Sequence, residues 1–542
     1  MSSAKNAVYD YLVIGAGSAG AAAAYRLSED PKVSVLLIEA GGETHPLSRM
    51  PMSFGLFINR SDVNWCYWSH PEKGTDDRRI SIPRGKMLGG SSAINGMVYV
   101  RGQRQDYENW ENLGNKGWGW PEVSKIFSRM ESYSTDSDEL IDDCRGRAGP
   151  LRVTKVSDKN PLYEGIFKGA LSIGYPINSD YNGIKQEGIA RTQATIWRGE
   201  RMSSSHCYIS PARKRPNFDL LTNALVEKLV LKGKKCVGLI YSQGGEQKKI
   251  QCGKEVILSA GAIGSPQILE LSGIGSPDIL QNNGITVKHV LPAVGENFQD
   301  HMMARLQWRL KTKKASYNYK MNGFNLPITA LEYFFKRTGP LSLPAAPLIA
   351  FLKTPLATER PDFQIQFIPF SIQNPVDRKF HDFPGMAVAG LPSRPISRGS
   401  VHVKSTNIKD SPDICFNFLK ENVDRKIFIE GFKMIRNIIN SAPMDNYRDI
   451  ELSPGKVVKT DDEIENFLRN KAETGYHPMG TCRMGALADS VVDSELRVHG
   501  IDGLRVADAS VFPAMLSGNL NGPSIMVGER VADFIKKHKY EE

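Results

Sequence analysis

An α/β fold, α+β over the whole chain, is predicted for this sequence from three observations near its N-terminus. Tyr9 to Ile14 is a short β-rich run, and Gly15-Ala-Gly17-Ser18-Ala19-Gly20 follows it directly. Val33 to Ile38 is a second apolar run, ending in Glu39, and an alanine-rich stretch through Leu27 separates it from the glycines. Strand, glycine loop, helix, strand and an acid about 20 residues on make the complete dinucleotide-binding (Rossmann) context. In that context Gly15 permits the tight turn and Gly17 admits a pyrophosphate to the helix N-terminus. Gly20 lets helix and strand pack closely, and Glu39 accepts from ribose hydroxyls. The motif alone does not separate a flavin from a nicotinamide dinucleotide.

The remaining elements follow in chain order. Gly85-Lys-Met-Leu88-Gly89-Gly90-Ser91-Ser92-Ala-Ile94-Asn95 is a second glycine-rich segment, continuing through Gly96, Met97, Val98 and Tyr99 to Gly102. It reads equally as a source of N–H and hydroxyl groups for a phosphate or flavin edge and as a polar loop before a buried strand. After a strand over Glu255 to Ser259 comes Gly261-Ala-Ile-Gly-Ser265-Pro266, running on to Gly273 and Gly275. Ser265 is expected to cap a helix, with Pro266 in its first position and Gly273 past its end. Residues 308 to 420 lose the glycine motifs and carry alternating runs such as Asp362 to Ile368, the pattern of a half-buried strand. Thr460-Asp-Asp-Glu463 is a capping box that opens a further helix.

Size and composition bound the function classes. With 542 residues the chain has ample core, and length alone suggests about three or four domains. Lys and Arg number 69 against 59 Asp and Glu, a net charge of +10, spread along the chain apart from Arg213-Lys214-Arg215 and Lys536-Lys537-His538-Lys539. No nucleic-acid motif accompanies it, so no nucleic-acid partner is expected. A solvated basic surface is the first reading and peripheral contact with an anionic membrane the second. The seven cysteines are scattered, without C-x-x-C, which argues against a disulfide framework or a metal and for a reducing, cytoplasmic setting. No apolar run approaches the roughly 18 residues that span a bilayer, and no secretory leader pattern opens the chain. A hydrolase reading lacks its G-x-S-x-G elbow.

The two segments at Gly85 and Gly261 resemble both signatures of the glucose–methanol–choline (GMC) oxidoreductase family. His477-Pro-Met-Gly-Thr-Cys-Arg-Met484, Val491 to Gly500, Leu504 to Ser510 and Gly518-Asn519-Leu-Asn521-Gly-Pro523 extend the resemblance from Asp10 to about Phe534. Within the family it is most similar to choline dehydrogenases and acceptor-linked alcohol dehydrogenases. The resemblance implies FAD, and a FAD-binding domain built from residues 1–157, 203–306 and 467–542. It leaves 158–202 and 307–466 for a substrate domain on an antiparallel sheet. It further implies cofactor contacts at Gly15, Gly17, Ser18, Ala19 and Gly20, and at Glu39, Ala40, Trp65 and Arg84. Leu88, Gly89, Gly90 and Ser91 are implied with Asn95, Gly96, Met97 and Val98. Val226, Ala260 and Gly261 follow, and Tyr476, Asp508, Ala509, Asn521 and Pro523 complete the set.

The reaction implied is oxidation of an alcohol by hydride removal. His477 would take the hydroxyl proton, as an imidazole with a pKa near about 6.5 can at neutral pH. Asn519 would hold the substrate oxygen through its amide. Ile94 stands where some relatives attach FAD through a histidine, so FAD is expected to bind non-covalently. Leu341 to Lys353 lacks the carboxylate that choline-type relatives carry there, which favours a neutral, partly apolar alcohol over a quaternary ammonium. An acceptor-linked dehydrogenase handing electrons to a quinone-like carrier is expected. An oxygen-using oxidase, a FAD-containing hydroxynitrile-lyase-like enzyme and an ordinary NAD-dependent dehydrogenase are the alternatives.

Overall fold

A computed structural model of the chain describes residues 8–134, 144–374, 379–486 and 489–539. Its frame is a pair of seven-stranded sheets. In the first, the strand Val8–Ile14 lies between Val35–Ile38 and Glu246–Leu258 and is parallel to both. Phe218–Leu221 extends the parallel part on one side, and Leu504–Val506 pairs in parallel with Glu246–Leu258. A meander of Lys235–Gln243 and Leu225–Lys232 finishes the sheet antiparallel. The second strand starts two residues later than the hydrophobic run predicts, because the Val33 N–H closes a turn onto the Asp30 carbonyl at 3.3 Å.

The glycine loop leads into helix α1 (Ser18–Leu27). Helix α2 (Gly261–Leu271) corrects the expected cap: it begins at Gly261, so Ser265 and Pro266 lie inside it. Proline has no N–H for the carbonyl one turn back, that of Ala262. The Thr481 hydroxyl donates to that carbonyl at 2.7 Å, and Ser265 turns its hydroxyl onto Asp508 at 2.6 Å. A tertiary partner thus makes mid-helix proline tolerable. Gly273 does end the helix, at φ +85°.

The second sheet runs Arg448–Ser453, Met302–Leu310, Gly385–Pro392, Phe363–Ile368, Leu348–Leu352 and Gly188–Arg191, with every neighbour antiparallel. The strand expected to be half-buried, Phe363–Ile368, is buried at all six residues. On one face the helix Asn422–Asn440 crosses so closely that a Cβ on Gly431 would fall 2.1 Å from the Phe363 ring. Gln364, on the alternate positions, points into the protein and hydrogen-bonds Asn519. The polar half of the alternation therefore addresses a site, not solvent.

Helix α3 (Asn325–Lys336) packs against the short turns Asn318–Met321 and Pro340–Ser342, and helix α4 (Asp461–Lys471) carries the Thr460–Glu463 capping box. Helix α5 (Asn521–Lys539) returns to pack on α1, where a Cβ on Gly528 would fall 2.1 Å from the Ala19 carbonyl oxygen. Among the described residues no helix is long and apolar enough to cross a membrane. None of the seven cysteines is in a disulfide.

Candidate active site

A cavity of about 180 Å³, partly open to solvent, lies where the first sheet meets α1 and α2. Gly15, Gly17, Ser18 and Ala19 line it from the first glycine loop, and Glu39 and Ala40 from the end of the second strand. Trp65, Arg84, Gly90 and Ser91 form another wall, facing Val226, Ala260, Gly261, Asp508 and Ala509. Gln267 and Pro478 line it from within the motifs already described, and Tyr67, Ile408 and Ser524 also line it and carried no sequence signal.

The walls are shaped for an anionic, extended ligand. Helix α1 starts at Gly17 with no side-chain cap, so its first N–H groups remain for a ligand. A Cβ on Gly17 would meet nothing within 4 Å, which leaves the approach open. Gly15 holds φ +95°, and a side chain there would strike the Ser259 carbonyl oxygen at 2.5 Å. Glu39 accepts the Ala16 N–H and Gly41 N–H, both at 2.9 Å, and burial pushes its carboxyl up to about 7. Asp508 accepts the Gly261 N–H at 2.8 Å and orders the start of α2. These donors, the carboxylate and the bare backbone suit a dinucleotide.

Other residues named by resemblance sit behind these walls. Gly20 packs α1 onto its own loop, since a Cβ would lie 2.0 Å from the Gly15 carbonyl oxygen. Leu88 and Gly89 donate N–H groups to the carbonyls of Gly42 and Ala16, clamping the second glycine segment to the first. Asn95 accepts from Met97 N–H and from the fully buried Arg201. The Gly96 carbonyl accepts from Ala345, and Val98 bridges to Ala194. Asn521 accepts the Ser18 hydroxyl at 2.7 Å, and Pro523 occupies the first turn of α5. Arg201 was missed from sequence; it anchors the loop through five carbonyl or amide oxygens, and burial lowers it to about 9.

His477 and Asn519 come together: Asn519 Nδ2 lies 2.9 Å from His477 Nε2. The backbone into His477 is held in an uncommon shape, with Tyr476 at φ +67°. Arg84 donates to the Tyr476 carbonyl at 2.8 Å, and Asp300 accepts the His477 N–H at 2.8 Å. Burial pushes Asp300 up to about 7.

A chain of hydrogen bonds assigns the tautomers. His301 Nε2 lies 2.9 Å from the Ser393 carbonyl oxygen, which only accepts, so the proton sits on Nε2. His301 Nδ1 then accepts from His477 Nδ1–H across 2.9 Å. His477 Nε2 is left with its lone pair, toward which Asn519 Nδ2 donates. Gln364 Nε2 donates in turn to Asn519 Oδ1 at 3.1 Å. Burial, then His301 and Arg84, hold His477 well below the ordinary histidine value, and burial takes His301 down to about 4. Both rings are neutral at neutral pH. His301, Ser393 and Gln364 were invisible in sequence, because only folding brings them beside His477.

The GMC oxidoreductase profiles match residues 9–303 and 395–528. The chain is 40% identical over 531 residues to a protein of Brucella anthropi named oxygen-dependent choline dehydrogenase, covering 97% of this chain and 95% of that one. The Sinorhizobium medicae protein of the same name is 41% identical over the same shares. Among solved structures, pyridoxine 4-oxidase from Mesorbium loti superposes with a TM-score of 0.88 at 28% identity, over 98% of this chain and 99% of the other. Formate oxidase of Aspergillus oryzae superposes with a TM-score of 0.92 at 26% identity, over 99% and 100%. With profiles over both halves, 40% identity across nearly its full length and this arrangement of cavity and histidine, the chain belongs to the GMC oxidoreductases, enzymes acting on CH–OH donors.

Proposed function

We propose that the chain oxidises a neutral, partly apolar alcohol to the aldehyde or ketone, with His477 as base, Asn519 as hydrogen-bonding partner and FAD held non-covalently. The observation that carries this reading is the neutral, buried His477 whose Nε2 lone pair faces Asn519. FAD supplies the hydride-accepting ring, and that chemistry is the cofactor's own. In this reading the cavity walls from Gly15 to Ala19, with Glu39, Gly90 and Gly261, hold it. Ile94 lies in an apolar cluster with Phe57 and Met87 and offers no linking atom. The three chain segments around the first sheet constitute the FAD domain, and the rest the substrate domain.

An alcohol hydroxyl entering between His477 and Asn519 gives its proton to Nε2. His477 keeps its Nδ1–H on His301, which fixes the tautomer that presents Nε2 to the hydroxyl. Asn519 turns its amide N–H from Nε2 to the oxygen, where negative charge grows as the proton leaves and is consumed in the new carbonyl bond when the hydride departs. Holding the carbinol carbon in place contributes further rate by replacing an encounter with a fixed geometry. The segment Leu341 to Lys353 carries no carboxylate, which suits a neutral substrate. Choline is the second reading, favoured by the names of the 40%-identical relatives. The acceptor in this proposal is a quinone-like carrier, and free thiols throughout fit a reducing cytoplasmic setting.

The test is an anaerobic titration of the yellow holoenzyme with choline and with linear, aromatic and polyol alcohols, in parallel with His477→Ala. Bleaching by one alcohol class that the variant loses supports the proposal. Bleaching by choline alone replaces the neutral substrate, and a flavin that no alcohol bleaches moves the assignment to a lyase. Rapid oxygen uptake during turnover replaces the carrier with oxygen.

A further inference from the structure

Helix α3 is apolar on two sides. One side, Thr329 and Tyr333, is buried, with Tyr333 packed beside Met321 and Leu341. The other presents Phe324 just before the helix, then Ile328, Leu331 and Phe335, at spacings of four, three and four residues. That spacing lines one side of a helix. These four are 97%, 64%, 56% and 83% exposed, where isolated apolar surface residues rarely form a stripe. Phe334 adds to the patch beside them at 54%.

The charge around the stripe is one-sided. Between Lys311 and Arg337 there are six basic residues and one acid, so this short segment carries half of the chain's net charge of +10. Lys313, Lys314 and Lys336 are exposed. The acid, Glu332, faces its own segment, where the Thr338 hydroxyl lies 3.5 Å away.

We propose that α3 docks the enzyme on an anionic membrane surface, with the stripe at the acyl boundary and the lysines among the headgroups. Apolar side chains and basic flanks on one helix are the two attractions that bind interfacial helices. A second copy of this chain is the poorer occupant, because an isologous contact sets these lysines against their equivalents. The docking surface is connected through the chain to the second glycine segment. The chain leaving α3 passes Pro340 and reaches Ala345, whose N–H donates to the Gly96 carbonyl at 3.1 Å.

The experiment is co-sedimentation of the holoenzyme with phosphatidylcholine vesicles and with mixed phosphatidylcholine–phosphatidylglycerol vesicles. The expected result is binding to the anionic vesicles that weakens severalfold as salt rises. Phe324→Ser/Phe335→Ser is expected to lower partitioning by about tenfold or more, since both phenyl rings leave the acyl boundary. FAD content and turnover of a soluble alcohol are expected to stay unchanged. Absence of wild-type binding, or equal binding by the variant, overturns the proposal. A dimer in light scattering that the variant abolishes, without vesicle binding, reassigns the stripe to a second copy and also overturns it.

Discussion

The nucleotide end and the substrate end of this enzyme are built on opposite plans. At the nucleotide end, contiguous residues do most of the work: Gly15 to Ala19 turn, start a helix and line the cavity within one short stretch. At the substrate end, the chain Ser393–His301–His477–Asn519–Gln364 takes each member from a different part of the sequence. The first plan uses backbone groups, which any short motif can present. The second uses side chains whose protonation depends on what lies against them. A dinucleotide needs a shape and N–H groups, whereas a proton acceptor needs one chosen tautomer in a dry place.

This contrast is open to breaking by mutation. His477→Ala removes the proposed base and is expected to slow anaerobic flavin reduction by about 10²–10⁴-fold, with the bound-flavin spectrum retained. Equal loss of the flavin would show that the two ends are not separable. His301→Ala deletes the acceptor that sets the His477 tautomer. A slowing on the order of 10- to 100-fold is expected, read in kcat/KM against pH.

The sign follows from the shift. His477 is depressed, first by burial and then by His301, so the free base persists at neutral pH and is lost only as pH falls through that lowered value. The acid limb of the wild type is therefore expected below pH 6.5, and the variant's limb is expected to move upward. A limb that stays in place would reduce His301 to a packing role.

Gly90→Ala probes the other end, because a Cβ there would fall 2.8 Å from Gly17 Cα at φ +49°. Roughly tenfold weaker FAD retention is expected after dialysis, with the rate per bound flavin unchanged. The smallest effect belongs to the frame: Thr481→Val leaves the Ala262 carbonyl unpaired beside Pro266. A loss of about 1–3 kcal/mol in denaturant unfolding is expected, with flavin reduction unaltered.

Legibility in the sequence followed the same division. The strand, glycine loop and acid at Glu39 were readable because the dinucleotide cradle is made of neighbours in the chain. Ser265 was misread as a cap because a Ser-Pro pair does start helices, and nothing local announced that Thr481 would satisfy the carbonyl Pro266 leaves open. Asp362 to Ile368 was misread as half-exposed because alternation reports two different environments without saying that the polar one is water. Here it is the protein interior, where Gln364 reaches Asn519 in the proposed active site.

By itself the sequence determined the α/β class, the phosphate-type loop and the capping box at Thr460, and through resemblance it singled out His477 and Asn519 as candidates. Each depends on spacing within a few residues or on a motif long enough to stand alone. Only the tertiary structure decided which ring nitrogen of His477 bears the lone pair, because a carbonyl at Ser393 sets it through His301. It also decided that α3 keeps an apolar stripe uncovered, since a helical pattern shows which side chains share a face but not what, if anything, packs on it.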